Sequence, residues 1–179
     1  MKKITYIIPL IILVLITAVG SFAIYRIEKS KHLEQNFESK KIIELPQISF
    51  QNLFDANDSI TNLDFAQSEY SLLNVFASWC MSCVEENGIL LKLAKNKNIN
   101  IYGIAYHDID ENTKKYLGEN QNPYKKVGVD RKGELANALL VEAVPETFLI
   151  NKKGQILRRY QGPLDEKFID FINQLPIAK

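Results

Sequence analysis

The two cysteines are the residues of this chain whose type and spacing best suit chemistry. Cys80 and Cys83 are separated by Met81 and Ser82 and follow directly after Trp79. Two cysteines in 179 residues are too few to staple a small secreted fold, so their placement matters more than their number. Residues three apart on a helix lie on one face, close to the Cα separation of about 5.5 Å that a disulfide prefers. The pair is therefore predicted to open and close without refolding of the chain.

The position of the pair gives its two members different predicted roles. Residues 70–77 (YSLLNVFA) form a short, mostly apolar run typical of a strand that is buried on both faces. A helix is predicted from Cys80 to about Lys97, with Leu90, Leu91, Leu93 and Ala94 on its buried side. The free N–H groups at a helix N-terminus favour a thiolate, whereas a residue one turn inside is less exposed. Cys80 is thus predicted to be the attacking nucleophile and Cys83 the resolving thiol.

A zinc site and a static structural disulfide are the alternatives for this pair. Zinc needs about four ligands, and the nearby candidate beyond the cysteines is His107. A structural disulfide that closes so small a loop removes little entropy from the unfolded chain. Redox exchange is therefore the favoured interpretation.

The elements that must position the cysteines follow in a regular order. A strand, a helix, a second strand and a second helix in succession indicate a βαβ unit with a parallel pair of strands. A hairpin is expected between Pro46 and Ser68, and another at the end of the sheet, with a turn of four residues that contains glycine. The remaining predicted elements are strands at 101–106, 127–129, 147–150 and 155–160, and helices at 110–118, 134–141 and 165–175.

Composition and charge exclude several classes of protein. The chain is 46% hydrophobic and 24% charged, which is typical of globular rather than disordered or collagen-like proteins. Residues 1–41 hold seven basic and three acidic side chains, so the 22 basic and 21 acidic residues of the chain leave 15 against 18 from residue 42 onward. The net charge of this part of the chain is therefore −3. It lacks the excess of basic residues that binding to a nucleic acid would need.

The N-terminal residues predict a membrane segment. Residues 4–25 carry no charge, and a helix of 22 residues spans the hydrocarbon core of about 30 Å. An anchor is favoured over a cleaved signal, although 18–20 or 21–23 would suit a cleavage site. Flanking charges leave the orientation open, because two lysines precede the segment and five basic residues follow it. The predicted organisation is an anchor at 1–25, a linker at 26–44 and a domain at 45–179.

The segments LLNVFASWCMSC, Asn122-Pro123-Tyr124 and VPETFLI together resemble the CcmG/DsbE family of thiol:disulfide oxidoreductases of cytochrome c maturation. The resemblance implies an α/β thioredoxin-like fold, with a central mixed β-sheet flanked by helices and an N-terminal hairpin extension, after one transmembrane helix. It also implies anchorage in the bacterial inner membrane with the soluble domain in the periplasm. The expected partners are apocytochrome c or a cytochrome c assembly protein and a membrane thiol-reductant donor, with no cofactor beyond the cysteine pair.

The resemblance also implies roles for individual residues. Cys80 and Cys83 match the redox pair, and Glu86 becomes a candidate to accept a proton from Cys83, with a plain surface glutamate as the alternative. Pro145 matches a cis-proline that faces the pair. The residues expected to line a substrate groove are Trp79, Tyr106, Asp108, Val144, Pro145 and Glu146. For Asp108 the alternative is a helix N-cap or a solvated loop acid.

This sequence departs from the family pattern at several positions. Asn74 occupies the strand position where thioredoxin carries a buried acid. The family has histidine at position 87, often a proline-initiated dipeptide at 81–82, and glycines at 140 and 143, where this chain has Asn87, Met81-Ser82, Leu140 and Ala143. These departures affect the expected reduction potential and the shape of the groove. The competing functions are a broader-specificity anchored thiol reductase and a non-catalytic module that binds apocytochrome.

Overall fold

The computed structural model of the chain describes residues 20–21 and 43–176, and the latter range belongs to one unit of the chain. The predicted membrane segment and linker lie almost entirely outside the described residues, so they stay predictions. Within the described ranges, no helix has the length and hydrophobicity that crossing a membrane requires.

The described domain is built on a six-stranded mixed sheet and a separate two-stranded hairpin. The sheet order is β1-β8-β7-β4-β5-β6, with β4, β5 and β6 mutually parallel and the other pairs antiparallel. The hairpin consists of β2 and β3, as predicted. The strands are β1 (Ile43–Glu44), β2 (Ser49–Asn52), β3 (Asp55–Thr61), β4 (Tyr70–Phe76), β5 (Ile99–Tyr106), β6 (Lys126–Asp130), β7 (Glu146–Asn151) and β8 (Gln155–Gln161).

Strand β4 lies inside the sheet and is buried on both faces. Leu72 and Phe76 belong to a core cluster on one face, whereas Leu73 and Val75 belong to a cluster on the other. Successive side chains of a strand point to opposite faces, so a continuous apolar run satisfies both clusters. The helices are α1 (Asn62–Phe65), α2 (Met81–Leu93), α3 (Asp110–Asn120), α4 (Glu134–Ala138) and α5 (Glu166–Asn173).

Helix α2 carries the cysteines, and its buried side differs from the predicted one. Its buried residues are Cys83, Glu86, Asn87, Leu90 and Leu93, which follow the three- and four-residue spacing of one helix face. Leu91 is half-buried and Ala94, the C-cap, is exposed, so the predicted set was partly wrong. The spacing of apolar residues did not indicate the buried face of this helix, because two of its buried residues, Glu86 and Asn87, are polar. The helix also ends about four residues before the predicted limit.

Two of the described elements were not predicted from the sequence. Strand β1 pairs with the edge strand β8, and the one-turn helix α1 follows the hairpin. The Lys126 ammonium on β6 lies 2.7 Å from carboxylate oxygens of both Asp58 and Asp64. This arrangement ties the hairpin and α1 to the edge of the sheet.

Candidate active site

The two cysteines form a disulfide at the start of α2. Their Cα atoms are 5.3 Å apart. Cys80 is the N-cap residue, with extended backbone, and its Sγ lies 3.2 Å from the Cys83 backbone N–H that points to it. Cys80 is 7% exposed and Cys83 is 2% exposed, in the predicted order. The prediction that Cys80 lies at the helix N-terminus is therefore confirmed.

The chain segment before β7 lies directly against Cys80. The Val144–Pro145 peptide bond is cis, as predicted. The Val144 carbonyl oxygen lies 3.6 Å from Cys80 Sγ, and the Pro145 carbonyl accepts a hydrogen bond of 2.9 Å from the Gly162 N–H. The structure thus brings Cys80 together with Val144 and Pro145, two predicted residues that follow it in the chain by 64 positions or more.

Glu86 is buried beneath the cysteines, on the same face of α2 as Cys83. It is 1% exposed, so the alternative of a surface glutamate is wrong. One carboxylate oxygen accepts a hydrogen bond of 2.9 Å from the Asn74 side-chain amide, and the other accepts one of 3.0 Å from the Leu164 N–H. Burial raises the pKa of Glu86 to about 7, against the lowering effect of these two bonds. A carboxyl group with this pKa exchanges protons readily near neutral pH.

Asn74 connects Glu86 to residues that the sequence did not indicate as part of the site. Its side-chain amide also donates to Thr147 Oγ1 at 2.9 Å, and its oxygen accepts from the Tyr124 hydroxyl at 2.7 Å. The Tyr124 ring stacks on Phe76, and burial raises the pKa of Tyr124 well above its usual value. The signal that predicts such a network is the polar Asn74 in a strand buried on both faces, because buried polar groups require partners.

Asp108 holds the turn that leads into α2. Its carboxylate accepts hydrogen bonds from the Ser78 N–H at 2.7 Å, the Ser78 hydroxyl at 2.9 Å and the Ile109 N–H at 2.9 Å. It is 5% exposed, and the N-cap of α3 is Ile109, so neither the solvated loop nor the N-cap alternative is correct. Asp108 therefore fixes the residues that precede Trp79 rather than facing solvent.

The two aromatic residues predicted for the groove have different surroundings. The indole N–H of Trp79 donates to the His107 carbonyl at 3.5 Å, and the side chain is 61% exposed. The Tyr106 ring is half-buried and stacks on His107, with centroids 4.1 Å apart. Trp79 thus presents an exposed apolar surface next to Cys80 in the chain. Tyr106 instead packs on His107, the residue whose carbonyl accepts the hydrogen bond from the indole.

Glu146 does not present its side chain to a groove. The carboxylate is fully buried and forms an ion pair with Arg159 of β8. Burial raises the pKa of Glu146, and the guanidinium of Arg159 opposes this effect. The prediction that Glu146 lines a substrate groove is corrected. Glu146 begins β7, and its side chain points toward Arg159 on the neighbouring strand β8.

The residues at which this chain departs from the family pattern differ in their burial. The Asn87 amide donates to the carbonyls of Asn120 and Gln121, while its buried Oδ1 has no partner among the described residues. Leu140 has a positive φ of 55° and is 73% exposed, and Met81 is also 73% exposed. Asn87 is therefore a packing feature of α2, whereas Met81 and Leu140 alter the exposed surface.

Dithiol–disulfide exchange is the chemistry that this arrangement supports. The described residues contain no group of three or more His, Cys, Asp or Glu that would hold a metal ion. A thiolate of Cys80 would lie at the helix N-terminus, next to the Val144 carbonyl, and the buried carboxyl group of Glu86 lies one helix turn from Cys83. Such surroundings suit attack on a disulfide of another protein.

Comparisons with known proteins agree with this chemistry. A family model described as Redoxin matches residues 39–175. The thiol:disulfide interchange protein CycY of Rhizobium leguminosarum bv. viciae is 36% identical over 138 residues, which cover 73% of this chain and 74% of CycY. The thiol:disulfide interchange protein DsbE of Haemophilus influenzae is 39% identical over 140 residues, which cover 78% of this chain and 75% of DsbE. These relatives confirm the resemblance found in the sequence.

A solved structure supports the fold. The thiol-disulfide oxidoreductase of Bacteroides fragilis superposes with a TM-score of 0.63 at 24% identity, over 74% of this chain and 98% of that one. At this identity the likeness concerns the fold alone. The predicted thioredoxin-like α/β fold of the domain is confirmed.

Proposed function

Because the chain belongs to the Redoxin family and to the thiol:disulfide interchange proteins of the CycY and DsbE type, we propose a function in cytochrome c maturation. In this proposal the protein reduces disulfides of apocytochrome c or of its assembly partner. It is a thiol:disulfide oxidoreductase whose redox centre is the cysteine pair, without a further cofactor. The cytochrome substrate rests on the segments LLNVFASWCMSC and VPETFLI and their resemblance to the cytochrome c maturation family.

The proposed reaction transfers two electrons from the reduced pair to the substrate. The Cys80 thiolate attacks one sulfur of the substrate disulfide, forming a mixed disulfide and releasing the other substrate sulfur as a thiolate. Cys83 then loses its proton and attacks Cys80 Sγ, which releases the second substrate thiolate and leaves the Cys80–Cys83 disulfide. A membrane thiol reductant would return the pair to the reduced state. Glu86, one turn from Cys83, is proposed to accept the proton.

The observation that carries the proposal is the placement of Cys80 between a helix N-terminus and the backbone of Val144. The Val144 carbonyl lies 3.6 Å from Cys80 Sγ, at the end of a segment that precedes β7. An extended substrate segment that pairs with an exposed backbone gains main-chain hydrogen bonds. Such pairing would bring a substrate disulfide to Cys80, which favours an unfolded protein substrate over a small disulfide.

The cytochrome substrate is tested by deleting the gene and restoring it in altered forms. We expect loss of haem-stained c-type cytochromes on deletion, recovery with the wild-type chain, and no recovery with Cys80→Ser. A matched control, Glu85→Gln at an exposed position on α2, should restore them fully. If cytochromes persist in the deletion strain while the purified protein reduces insulin, the chain is the broader-specificity reductase. If it reduces no protein disulfide, the binding module is the better description.

We also propose that the domain is exported and stays attached to the membrane through residues 4–25. The support is the uncharged run of 22 residues together with the family resemblance. Alkaline phosphatase fused after Lys179 should be active and should remain in the membrane fraction. An inactive fusion would place the domain in the cytoplasm, and an active fusion in the soluble fraction would indicate a cleaved signal.

A further inference from the structure

Leu140 combines a strained backbone with an exposed apolar side chain. Its φ of 55° lies in the left-handed region, where a side chain meets the backbone and glycine is preferred. Its side chain is 73% exposed, so burial within this molecule compensates little of that strain. Residues with a strained backbone persist where the surrounding structure imposes the conformation, and they are concentrated at binding sites.

Two kinds of contact hold the Leu140 backbone, namely the hydrogen bonds that close the end of α4 and a hydrogen bond from Arg159. The Arg159 guanidinium donates a hydrogen bond of 2.6 Å to the Leu140 carbonyl. The same guanidinium pairs with the fully buried Glu146, directly after the cis-proline. The Leu140 N–H donates to the Asn137 carbonyl at 3.1 Å and the Val141 N–H donates to the Ala136 carbonyl at 2.8 Å. This pattern is typical of a helix C-terminus at which a left-handed residue, usually glycine, follows the last turn. The Leu140 backbone is therefore held by hydrogen bonds at both its N–H and its carbonyl group.

Leu140 lies close in the chain to the segment that contacts the redox pair. Leu140 and Val144 are four residues apart, so their Cα atoms are separated by at most about 14 Å. The Val144 carbonyl is 3.6 Å from Cys80 Sγ, where the substrate sulfur must arrive. The exposed side chains of Trp79 and Met81 flank Cys80 in the chain. An extended peptide whose cysteine reaches Cys80 can thus place a neighbouring side chain on Leu140.

We infer that Leu140 is a specificity-determining residue, which binds an apolar side chain beside the reactive cysteine of an unfolded protein substrate. The inference rests on the proposed function and deepens it by naming the chemistry of the substrate. Contact with an apolar side chain removes the exposed surface of Leu140 from water and supplies the stabilisation that the free protein lacks. Arg159 acts as a positioning residue, because it holds the backbone from which Leu140 projects.

The test compares three substrates and four forms of the full-length protein, each reduced and kept in mild detergent. The substrates are oxidised glutathione and the symmetrical disulfides of two nine-residue peptides, whose central cysteine is flanked by leucine in one and by serine in the other. The protein forms are the wild type, Leu140→Ala, Leu140→Gly and the control Leu63→Ala, which removes a leucine of similar exposure (78%) on α1. Rates are followed by the oxidation of Cys80 and Cys83.

We expect the wild type to reduce the leucine peptide faster than the serine peptide. Both substitutions at Leu140 should slow the leucine peptide about three- to tenfold, as expected from partial burial of one leucine, and should leave the serine peptide and glutathione unchanged. Leu63→Ala should match the wild type with every substrate. Unchanged glutathione rates also show that the variants are folded and that their redox centre is intact.

Several results would overturn the inference. Wild-type rates of both Leu140 variants with the leucine peptide would show that the side chain makes no contact. Slowing by Leu140→Gly alone would assign the effect to the backbone, and an equal loss with glutathione would assign it to the redox centre. If the wild type reduces glutathione but neither peptide, the proposed function itself fails, and the inference fails with it.

Discussion

Replacement of Glu86 by glutamine should change how the stability of the oxidised protein depends on pH. Burial raises the pKa of this carboxyl group from its ordinary value of 4.5 to about 7. Between these two values the folded protein keeps a proton that the unfolded chain has lost, so unfolding releases a proton. The free energy of unfolding therefore falls as pH rises through this window. Glu86→Gln remains neutral at every pH and removes this dependence.

The size of the effect follows from the raised pKa. The interval from 4.5 to about 7 corresponds to about 3 kcal/mol at about 1.4 kcal/mol for each pKa unit. Glu86 is 1% exposed and has no cationic partner in its hydrogen bonds with Asn74 and Leu164. Glutamine has nearly the shape of the protonated carboxyl group, and a turn of the Asn74 amide would let it keep both bonds. Wild type and variant should thus be similarly stable at pH 4.

The assay is urea unfolding of the oxidised full-length protein in mild detergent, at several pH values from 4 to 8.5. The stability of Glu86→Gln relative to the wild type should rise from near zero at pH 4 to about 3 kcal/mol in favour of the variant at pH 8.5. All other titratable groups are present in both proteins, so their contributions cancel in the difference. The exposed neighbour Glu85→Gln should follow the wild type. Parallel pH profiles for wild type and Glu86→Gln would refute the reasoning.

Three further outcomes are expected. Cys83→Ser should trap mixed disulfides between Cys80 and its natural target, whereas Cys80→Ser should trap few, because Cys80 is the N-cap residue and the more exposed cysteine. The trapped complexes are identified by mass spectrometry without reduction, and equal trapping by the two variants would contradict the prediction. Asp108→Ala should lower the free energy of unfolding by about 1 to 3 kcal/mol, because the partly buried hydrogen bonds from Ser78 are lost, and it should slow insulin reduction. If the variant unfolds at the same urea concentration as the wild type, other contacts hold the turn. Asp130→Ala should cost about 1 to 2 kcal/mol, because its carboxylate accepts hydrogen bonds from the first N–H groups of α4; an unchanged unfolding midpoint would refute that contribution.

Features that depend on short stretches of sequence were predictable. The apolar run of β4, the cysteines at a spacing of three and the helix after them are set by neighbouring residues, whose side chains alternate on a strand or share a helix face. The same local periodicity predicted the order of strands and helices and both hairpins. Errors occurred where a pattern was too short to detect, as for the two-residue strand β1, which forms because it pairs with β8.

The buried chemistry of the site depended on which distant segments the sheet brings together. Glu86 resembles a surface residue in the sequence, and its raised pKa arises because Asn74 of β4 and the Leu164 backbone lie against it, 12 and 78 positions away. The family pattern alone placed Glu146 in a groove, but the β7–β8 pairing directs its carboxylate to Arg159.

The sequence by itself therefore determined the reactive pair, because thiol chemistry needs two cysteines at one helix turn and nothing more distant. The tertiary structure decided the surroundings that control the pair. The Asp108 bonds to Ser78, the Leu164 N–H against Glu86 and the Arg159 bond to the Leu140 carbonyl all result from contacts between separate elements. The cis Val144–Pro145 bond beside Cys80 was expected from the family resemblance and not from local periodicity. Hydrogen bonding and burial between such elements follow from the packing of the whole sheet, which local hydrophobic periodicity does not specify.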